Sequence, residues 1–272
     1  MITFSVITIV WNDRVGATRT MQSVFSQTYP HYEVIVQDGA STDGTSEMLR
    51  SFGDWIDDLV IEEDDGIYDA MNRALARATG DYLIFMNAAD YFLKPDVLER
   101  VAQMIDPEKD DIFVGQALSA ETGRVHQYRK PHEFWAGSTT DHQATFIRRE
   151  LMQELKYSTE YDIAGDLHFF TRARKRGASF RYEPIAIAKK PFAVGASSGF
   201  VDRVRDRLTM LEEAWGKEYP VREKITNEMA THLSRVFDLD ANNFRDKSVE
   251  ELLLIYEDWQ DRLSAASALS KP

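Results

Sequence analysis

No cysteine occurs among the 272 residues, which excludes both a disulfide framework and a thiolate metal centre and suits a reducing cytoplasm. Long apolar runs are missing too, and none approaches the roughly 20 residues of a membrane-spanning helix. Positive charge is scarce: 32 Lys and Arg stand against 45 Asp and Glu, a formal net charge of −13. Such a field disfavours nonspecific binding to nucleic acid or to anionic lipid. Residues 1–10 lack the basic region and cleavage site of a secretory leader and read as a first strand. Glycine-rich phosphate loops are also absent. No G-x-G-x-x-G follows the first strand and no G-x-x-x-x-G-K-[ST] occurs anywhere, so phosphate is not expected at a glycine-rich helix start.

What the chain does have is a regular alternation. Residues 4–10 are short and β-branched, and 15–27 are helical in pattern. A second strand over 32–37 ends in Asp38-Gly39-Ala40-Ser41-Thr42-Asp43-Gly44, a cluster of turn formers. A short helix over 46–52, a strand over 59–62 and a helix over 68–78 follow. The last of these places Ala70, Met71, Ala74, Leu75 and Ala78 on one face, with Gly80 just beyond its end. Residues 82–86 are apolar throughout, as in a strand buried on both faces, and Pro95 opens a helix reaching 105.

This β-α-β order implies an α/β fold with a largely parallel sheet and helices on both faces. Residues 112–118 and 125–128, separated by Glu121-Thr122-Gly123-Arg124, read as a hairpin or a mixed-sheet extension. A helix over 167–175 and a strand over 180–188 complete the core. The expected organisation is one α/β domain over 1–199 and a C-terminal helical extension over 200–272, with helices over 204–215, 221–236 and 249–265. In the last helix, Leu252, Ile255, Tyr256, Trp259 and Leu263 form a stripe expected to pack on the α/β domain or on a second subunit. Docking to a membrane surface is the sharper reading, and Glu250, Glu251, Glu257, Asp258 and Asp261 weigh against it.

Residues 66–90 carry the strongest signal: a helix, a glycine stop, and a buried strand that runs out at Asn87-Ala88-Ala89-Asp90. A carboxylate at the carboxyl edge of a central strand is where an open α/β sheet places its ligand chemistry. Polar and acidic residues gather at the other expected strand ends as well: Asn12 and Asp13, then Asp38, then Asp64 and Asp65. Right-handed crossovers bring the ends of parallel strands to one edge. So many carboxylates in one crevice repel one another unless a cation or hydrogen-bond donors on a ligand compensate.

In these segments the chain resembles the family 2 glycosyltransferases, with the nucleotide-diphospho-sugar transferase (GT-A) fold. The matching stretches are Ser5 to Asn12, Gln22 to Tyr29, Tyr32 to Thr45 and Asp64 to Asp90. The D-x-G-I-Y-D-A-M-N segment is similar to that of bacterial polysaccharide-biosynthesis members, and the likeness spans roughly residues 3 to 200.

The resemblance implies a role for each matched position. Ile9 and Trp11 line the nucleobase pocket, Asp38 accepts a hydrogen bond from the base, and Asp64 holds the base or ribose. Asn72 shapes the wall near the sugar. Asn87, Ala88 and Ala89 lie along the donor at the family's D-x-D position, where Asp90 binds a divalent Mn²⁺ or Mg²⁺ bridging the donor phosphates. Asp166, in Ala164-Gly165-Asp166-Leu167-His168, is the catalytic base, with inversion at the anomeric carbon. His142 faces the donor phosphates or the acceptor, and the loop from Phe192 to Ser198 closes over the substrates.

The implied reaction moves a sugar from a nucleotide-diphosphate donor, expected to be a UDP-sugar, to a saccharide or lipid-linked saccharide in bacterial surface-glycan synthesis. It would run in the cytoplasm or at the inner face of the membrane, with self-association through the C-terminal helices as a further expectation. Plainer roles compete. Asp166 and Asp90 each suit a helix cap, Asp38-Gly39 and Asp43-Gly44 are ordinary turn pairs, Asp65 suits a solvated charge, and Tyr68 and Asp69 are left unassigned. A noncatalytic nucleotide-sugar-binding or scaffold protein is the rival from another class. It is favoured by Asn87 in place of an acidic residue and by Ala89 where relatives often carry glycine, and opposed by the Asp90 and Asp166 pair. A nucleotidyltransferase is weakened because no basic glycine-rich loop follows the first strand.

Overall fold

The structure, a computed structural model, describes residues 1–125, 140–161, 164–191, 204–206, 208–210, 212, 222–237, 241–244 and 246–256. Two compact units divide the chain, Met1–Gly195 and Ala196–Pro272.

The first unit is built on one sheet of eight strands in the order β3-β2-β1-β4-β7-β6-β8-β5. Its parallel half comprises β1 (Phe4–Val10), β2 (Tyr32–Asp38), β3 (Asp58–Ile61) and β4 (Tyr82–Phe85). Helices α1 (Arg14–Phe25), α2 (Thr45–Ser51) and α3 (Ile67–Leu75) connect these strands. Strand side chains alternate between faces, and here both faces are apolar. Phe4, Val6 and Val10 of β1, with Tyr82 and Ile84 of β4, pack with Ala17, Met21 and Val24 of α1. Val97, Leu98 and Val101 of α4 (Val97–Met104) join that cluster. Ile7 and Ile9, with Leu83 and Phe85, pack on the opposite face with Met71, Ala74 and Leu75 of α3. Phe169, Phe170 and Ala173 of α6 (Gly165–Lys175) complete that face.

The other half of the sheet is mixed. β5 (Tyr91–Phe92) and β7 (Thr145–Arg148) run antiparallel to their neighbours, whereas β6 (Ile112–Ser119) and β8 (Phe180–Lys190) are parallel to each other. β7 and the helix that follows it directly, α5 (Arg149–Leu155), correspond to no element expected from the pattern. The apolar run at Phe146-Ile147 is too short to show a period, and no turn former separates strand from helix. Inserting β7 between β4 and β6 sets residues 140–144 beside the end of β4.

The pairing of β6 with β8 shifts register between Val114 and Ala117. A Cβ on Gly115 would come within 2.1 Å of Ile187 Cδ1 and 2.9 Å of the Ile185 carbonyl oxygen, a close approach of backbone to backbone that glycine allows. The turn after β6 closes as expected: Ser119 N–H donates to the Arg124 carbonyl, and Leu118 bridges Val125 antiparallel. The expected returning strand over 125–128 lies outside the described residues beyond Val125, as does the Phe192 to Ser198 loop.

In the second unit, α7 (Arg222–Phe237) buries Ile225, Met229, Ala230 and Leu233 at spacings of three and four. Residues 204–206, 208–210 and 249–256 are also helical. Val249 and Leu252 are buried, while Trp259 and Leu263 of the expected stripe fall outside the described residues. No helix among the described residues is long and apolar enough to cross a membrane.

Candidate active site

The loops after β1 and β2 are knitted to each other. Asn12 adopts a left-handed backbone at φ 49°, its N–H donates to Ser41 Oγ (2.7 Å), and its side-chain oxygen accepts from Thr42 N–H (2.8 Å). Asp38 is fully buried and accepts from the Ser41 hydroxyl (2.5 Å), the Ser41 N–H (3.2 Å) and the Ser46 hydroxyl. Its carboxylate thus closes the loop onto the start of α2. Ile9 is buried, and its carbonyl accepts from Ala88 N–H (3.1 Å), joining β1 to the end of β4.

Trp11 is 70% exposed, an unusual position for the largest apolar side chain. A Cβ placed on Gly39 would lie 3.3 Å from Trp11 Cδ1 and 2.8 Å from Asp64 Oδ2. The missing side chain lets an indole and a carboxylate approach one point from two sides. Burial pushes the Asp64 carboxyl above its ordinary pKa; Asp69 and Asp65 add to that, against the Gly66 N–H and Arg73. The Gly66 N–H lies 3.0 Å from Asp64 Oδ1.

The end of β4 is a tight turn. Asp90 N–H donates to the Asn87 carbonyl (2.9 Å), with Ala89 at φ 74° in the position that favours glycine. The Thr20 hydroxyl of α1 donates to the Asp90 carbonyl (2.6 Å) and lies 3.2 Å from that of Asn87. The Asp90 side chain is buried, and burial pushes its pKa up to about 7, against the pull of His142, a Gln143 hydrogen bond and Lys190. Lys190 is itself ion-paired with Asp141.

His142 opens the short 3₁₀ turn His142–Ala144 ahead of β7. Its Nδ1 is 3.4 Å from Asp166 Oδ2 and its Nε2 is 3.4 Å from Asn87 Nδ2. One imidazole therefore joins the start of α6 to the end of β4. Asp166 Oδ1 accepts from the Leu167 N–H (2.7 Å), while the Asp166 N–H donates to Tyr68 Oη (3.3 Å). The Tyr68 ring packs against Gly165, where a Cβ would meet it at 2.6 Å. Asn72 acts on backbone: its amide gives to the Tyr157 carbonyl (2.9 Å) and accepts from the Tyr157 N–H (3.0 Å).

His142 thus brings Asn87 and Asp166 together, with Asp90 close enough to feel its charge, while Ile9 and Ala88 supply backbone to the same edge. Trp11 and Asp64 meet at Gly39, whereas Asp38 and Asn72 spend their polar atoms on internal hydrogen bonds. Tyr68, Thr20, Gln143, Asp141 and Lys190 belong to this neighbourhood without having been singled out as site residues. Tyr68 carried a signal through its place in the D-x-G-I-Y-D segment, and Asp141 and Gln143 through the Asp141-His142-Gln143 stretch around His142.

Among the described residues no three His, Asp, Glu or Cys gather as a metal centre. The donor set nonetheless suits a hard cation. The Asn87 Oδ1 and Gln143 Oε1 atoms are buried without a hydrogen-bond partner among the described residues; the Gln143 side chain hydrogen-bonds Asp90, and Asn87 is joined to it by the backbone turn. Mg²⁺ and Mn²⁺ prefer oxygen ligands, and Mg²⁺ commonly binds phosphate-bearing substrates with one or two protein carboxylates.

The sequence model described as glycosyl transferase family 2 matches residues 5–179. A PGL/p-HBAD biosynthesis glycosyltransferase of Mycobacterium bovis is 30% identical over 216 residues, covering 74% of this chain and 81% of that protein. The crystal structure of S. aureus TarS 1-349 in complex with UDP-GlcNAc matches with a TM-score of 0.65 at 20% identity, covering 92% of this chain and 77% of that one. The mannosyltransferase PcManGT from Pyrobaculum calidifontis, in complex with GDP-Man and Mn²⁺, matches with a TM-score of 0.61 at 21% identity, covering 100% of this chain and 81% of that one. Both structural likenesses concern the fold, which is GT-A-like.

Proposed function

The chain belongs to glycosyl transferase family 2, and from that premise we propose an inverting, metal-assisted transfer of a sugar from a nucleotide-diphosphate donor, a UDP-sugar, to an acceptor hydroxyl. The acceptor is a saccharide or lipid-linked saccharide in the synthesis of a bacterial surface glycan, at the cytoplasmic side of the membrane. The observation that carries this reading is the His142 imidazole, 3.4 Å from both Asp166 and Asn87, which joins a base to a ligand edge.

In this reaction Asp166 takes the proton of the acceptor hydroxyl as its oxygen attacks the anomeric carbon opposite the diphosphate. The bond from that carbon to the phosphate oxygen breaks, its electron pair leaves with the nucleoside diphosphate, and the configuration inverts. His142 donates from Nδ1 to Asp166 and holds the carboxylate in its orientation. The exposed Trp11 indole packs on the nucleobase, and Asp64 accepts a hydrogen bond from base or ribose. Asp90 would hold the divalent cation, which supplies neutralisation of the charge on the departing diphosphate.

The test is a panel of nucleotide sugars and acceptors, read as release of nucleoside diphosphate with and without Mn²⁺. Asp166→Ala should lower turnover by roughly 10²- to 10⁴-fold, the usual worth of a positioned general base. Asp90→Ala should abolish the response to Mn²⁺. Unchanged turnover in both variants would overturn the mechanism.

A further inference from the structure

We propose that the Tyr68 hydroxyl of α3 caps the start of α6, and so leaves the Asp166 carboxylate free to face His142 and the acceptor. The inference rests on Asp166 as the base of the transfer reaction and assigns that base a positioning residue.

The need for a cap is set by the sequence at the start of α6. The first N–H groups of a helix have no intrahelical partner, and a Ser, Thr, Asp or Asn at the N-cap usually serves them. Here the N-cap is Ala164, whose side chain has nothing that accepts. Asp166 stands in the first turn, where the helix dipole draws a carboxylate. Its Oδ1 already accepts from the Leu167 N–H (2.7 Å), and it is Oδ2 that faces His142 Nδ1 (3.4 Å). Capping and catalysis therefore compete for one carboxylate.

Tyr68 relieves that competition from another element. Its Oη accepts from the Asp166 N–H at 3.3 Å, so an orphan donor of α6 is served by α3. Gly165 makes the reach possible. A Cβ there would meet Tyr68 Cε2, Cζ and Cδ2 at 2.6, 2.7 and 2.8 Å, and Cζ is the carbon that bears the hydroxyl. The Gly165 backbone is not left-handed, so the space and not the φ angle accounts for a glycine at the first residue of this helix. The ring is itself held in place. Tyr68 is buried, with its centroid 5.2 Å from that of Tyr157, whose backbone is bracketed by Asn72, one turn beyond Tyr68 on α3. One face of α3 thus grips the chain at Tyr157 and again at Gly165 and Asp166. Without the hydroxyl the helix start is one acceptor short, and the Asp166 carboxylate turns toward it and away from His142.

The test is Tyr68→Phe in the full chain, which keeps the ring against Gly165 and removes the acceptor. Two quantities are read: steady-state turnover, and amide hydrogen exchange at Asp166 by nuclear magnetic resonance. The Asp166 N–H should exchange about tenfold faster, while amides in the middle of α6 keep their protection. kcat should fall about 10- to 100-fold, the scale for a misplaced catalytic group, with donor KM within about twofold of the wild type. Tyr157→Phe is the control, since it takes from the same stack a buried hydroxyl that has no hydrogen-bond partner among the described residues. It should leave both readouts unchanged. Unaltered exchange in Tyr68→Phe, or wild-type kcat despite faster exchange, would overturn the proposal. So would an equal loss of kcat in Tyr157→Phe, which would assign the effect to packing of the stack. Asp166→Ala measured alongside keeps the two readings apart. If it is inactive while Tyr68→Phe matches the wild type, only the cap is lost. If it retains full turnover, the base reading falls, and exchange at Asp166 still decides the cap.

Discussion

Asp90 is both buried and acidic, and burial shifts its equilibrium toward the protonated form. Its carboxyl titrates at about 7 in the folded chain against 3.8 for the free group. Folded protein therefore holds a proton that unfolded chain has released across this interval. The contribution of Asp90 to stability is full below about pH 4 and is lost as pH rises to 7, by at most about 1.4 kcal/mol per pH unit for one proton. Asp90→Asn should remove that contribution, seen as a smaller fall of the urea midpoint between pH 5 and 7 than in the wild type. For the wild type at pH 8, Mn²⁺ at 100 times its Kd should restore about 2.7 kcal/mol, and EDTA should remove it.

At this scale the residues legible in the sequence were those whose place in the chain is itself diagnostic. Asp90 follows an apolar strand and Asp166 stands in the first turn of a helix. Gln143 and Lys190 were not legible, because their polar groups matter only through neighbours distant in the chain.

Among elements, the turn Asn87 to Asp90 carries measurable strain. Ala89 sits at φ 74°, where a Cβ is unfavourable and glycine is not. Ala89→Gly should raise stability by about 0.5–1 kcal/mol in chemical denaturation, net of the extra freedom that glycine brings to the unfolded chain. Asn72 joins α3 to the chain ahead of α6 by two hydrogen bonds to Tyr157. Asn72→Ala should cost about 2–3 kcal/mol, since it leaves a buried N–H and carbonyl unpaired. It should also lower turnover by loosening the approach to Asp166, which kcat against KM would separate from lost donor affinity.

The strands β1, β2 and β4 and helices α1 to α4 lie within a few residues of where periodicity puts them, because an apolar period and a turn former are local signals. β7 with α5 escaped, since four residues carry no period and the strand runs straight into the helix. That element nevertheless delivers His142 to the site.

For the molecule as a whole, a net charge of −13 meets a donor that is itself anionic. Long-range repulsion of this kind is screened beyond a Debye length of about 10 Å at 0.1 M salt. In EDTA, UDP affinity should therefore hold or rise, by about twofold, between 20 and 200 mM salt, as measured by calorimetry. A fall over that range would point instead to a local basic phosphate site.

From the sequence alone came the alternation of strands and helices, the edge at which polar residues collect, and the family. All three depend on side-chain chemistry read over a few neighbouring positions. Tertiary structure decided what those residues are to one another: that Asp38 and Asn72 turn inward to bind backbone and hydroxyls, that burial raises the Asp90 pKa, and that one imidazole couples Asp166 to Asn87. Desolvation and the direction of a hydrogen bond are set by groups that meet only when the chain has folded, and no local pattern encodes them.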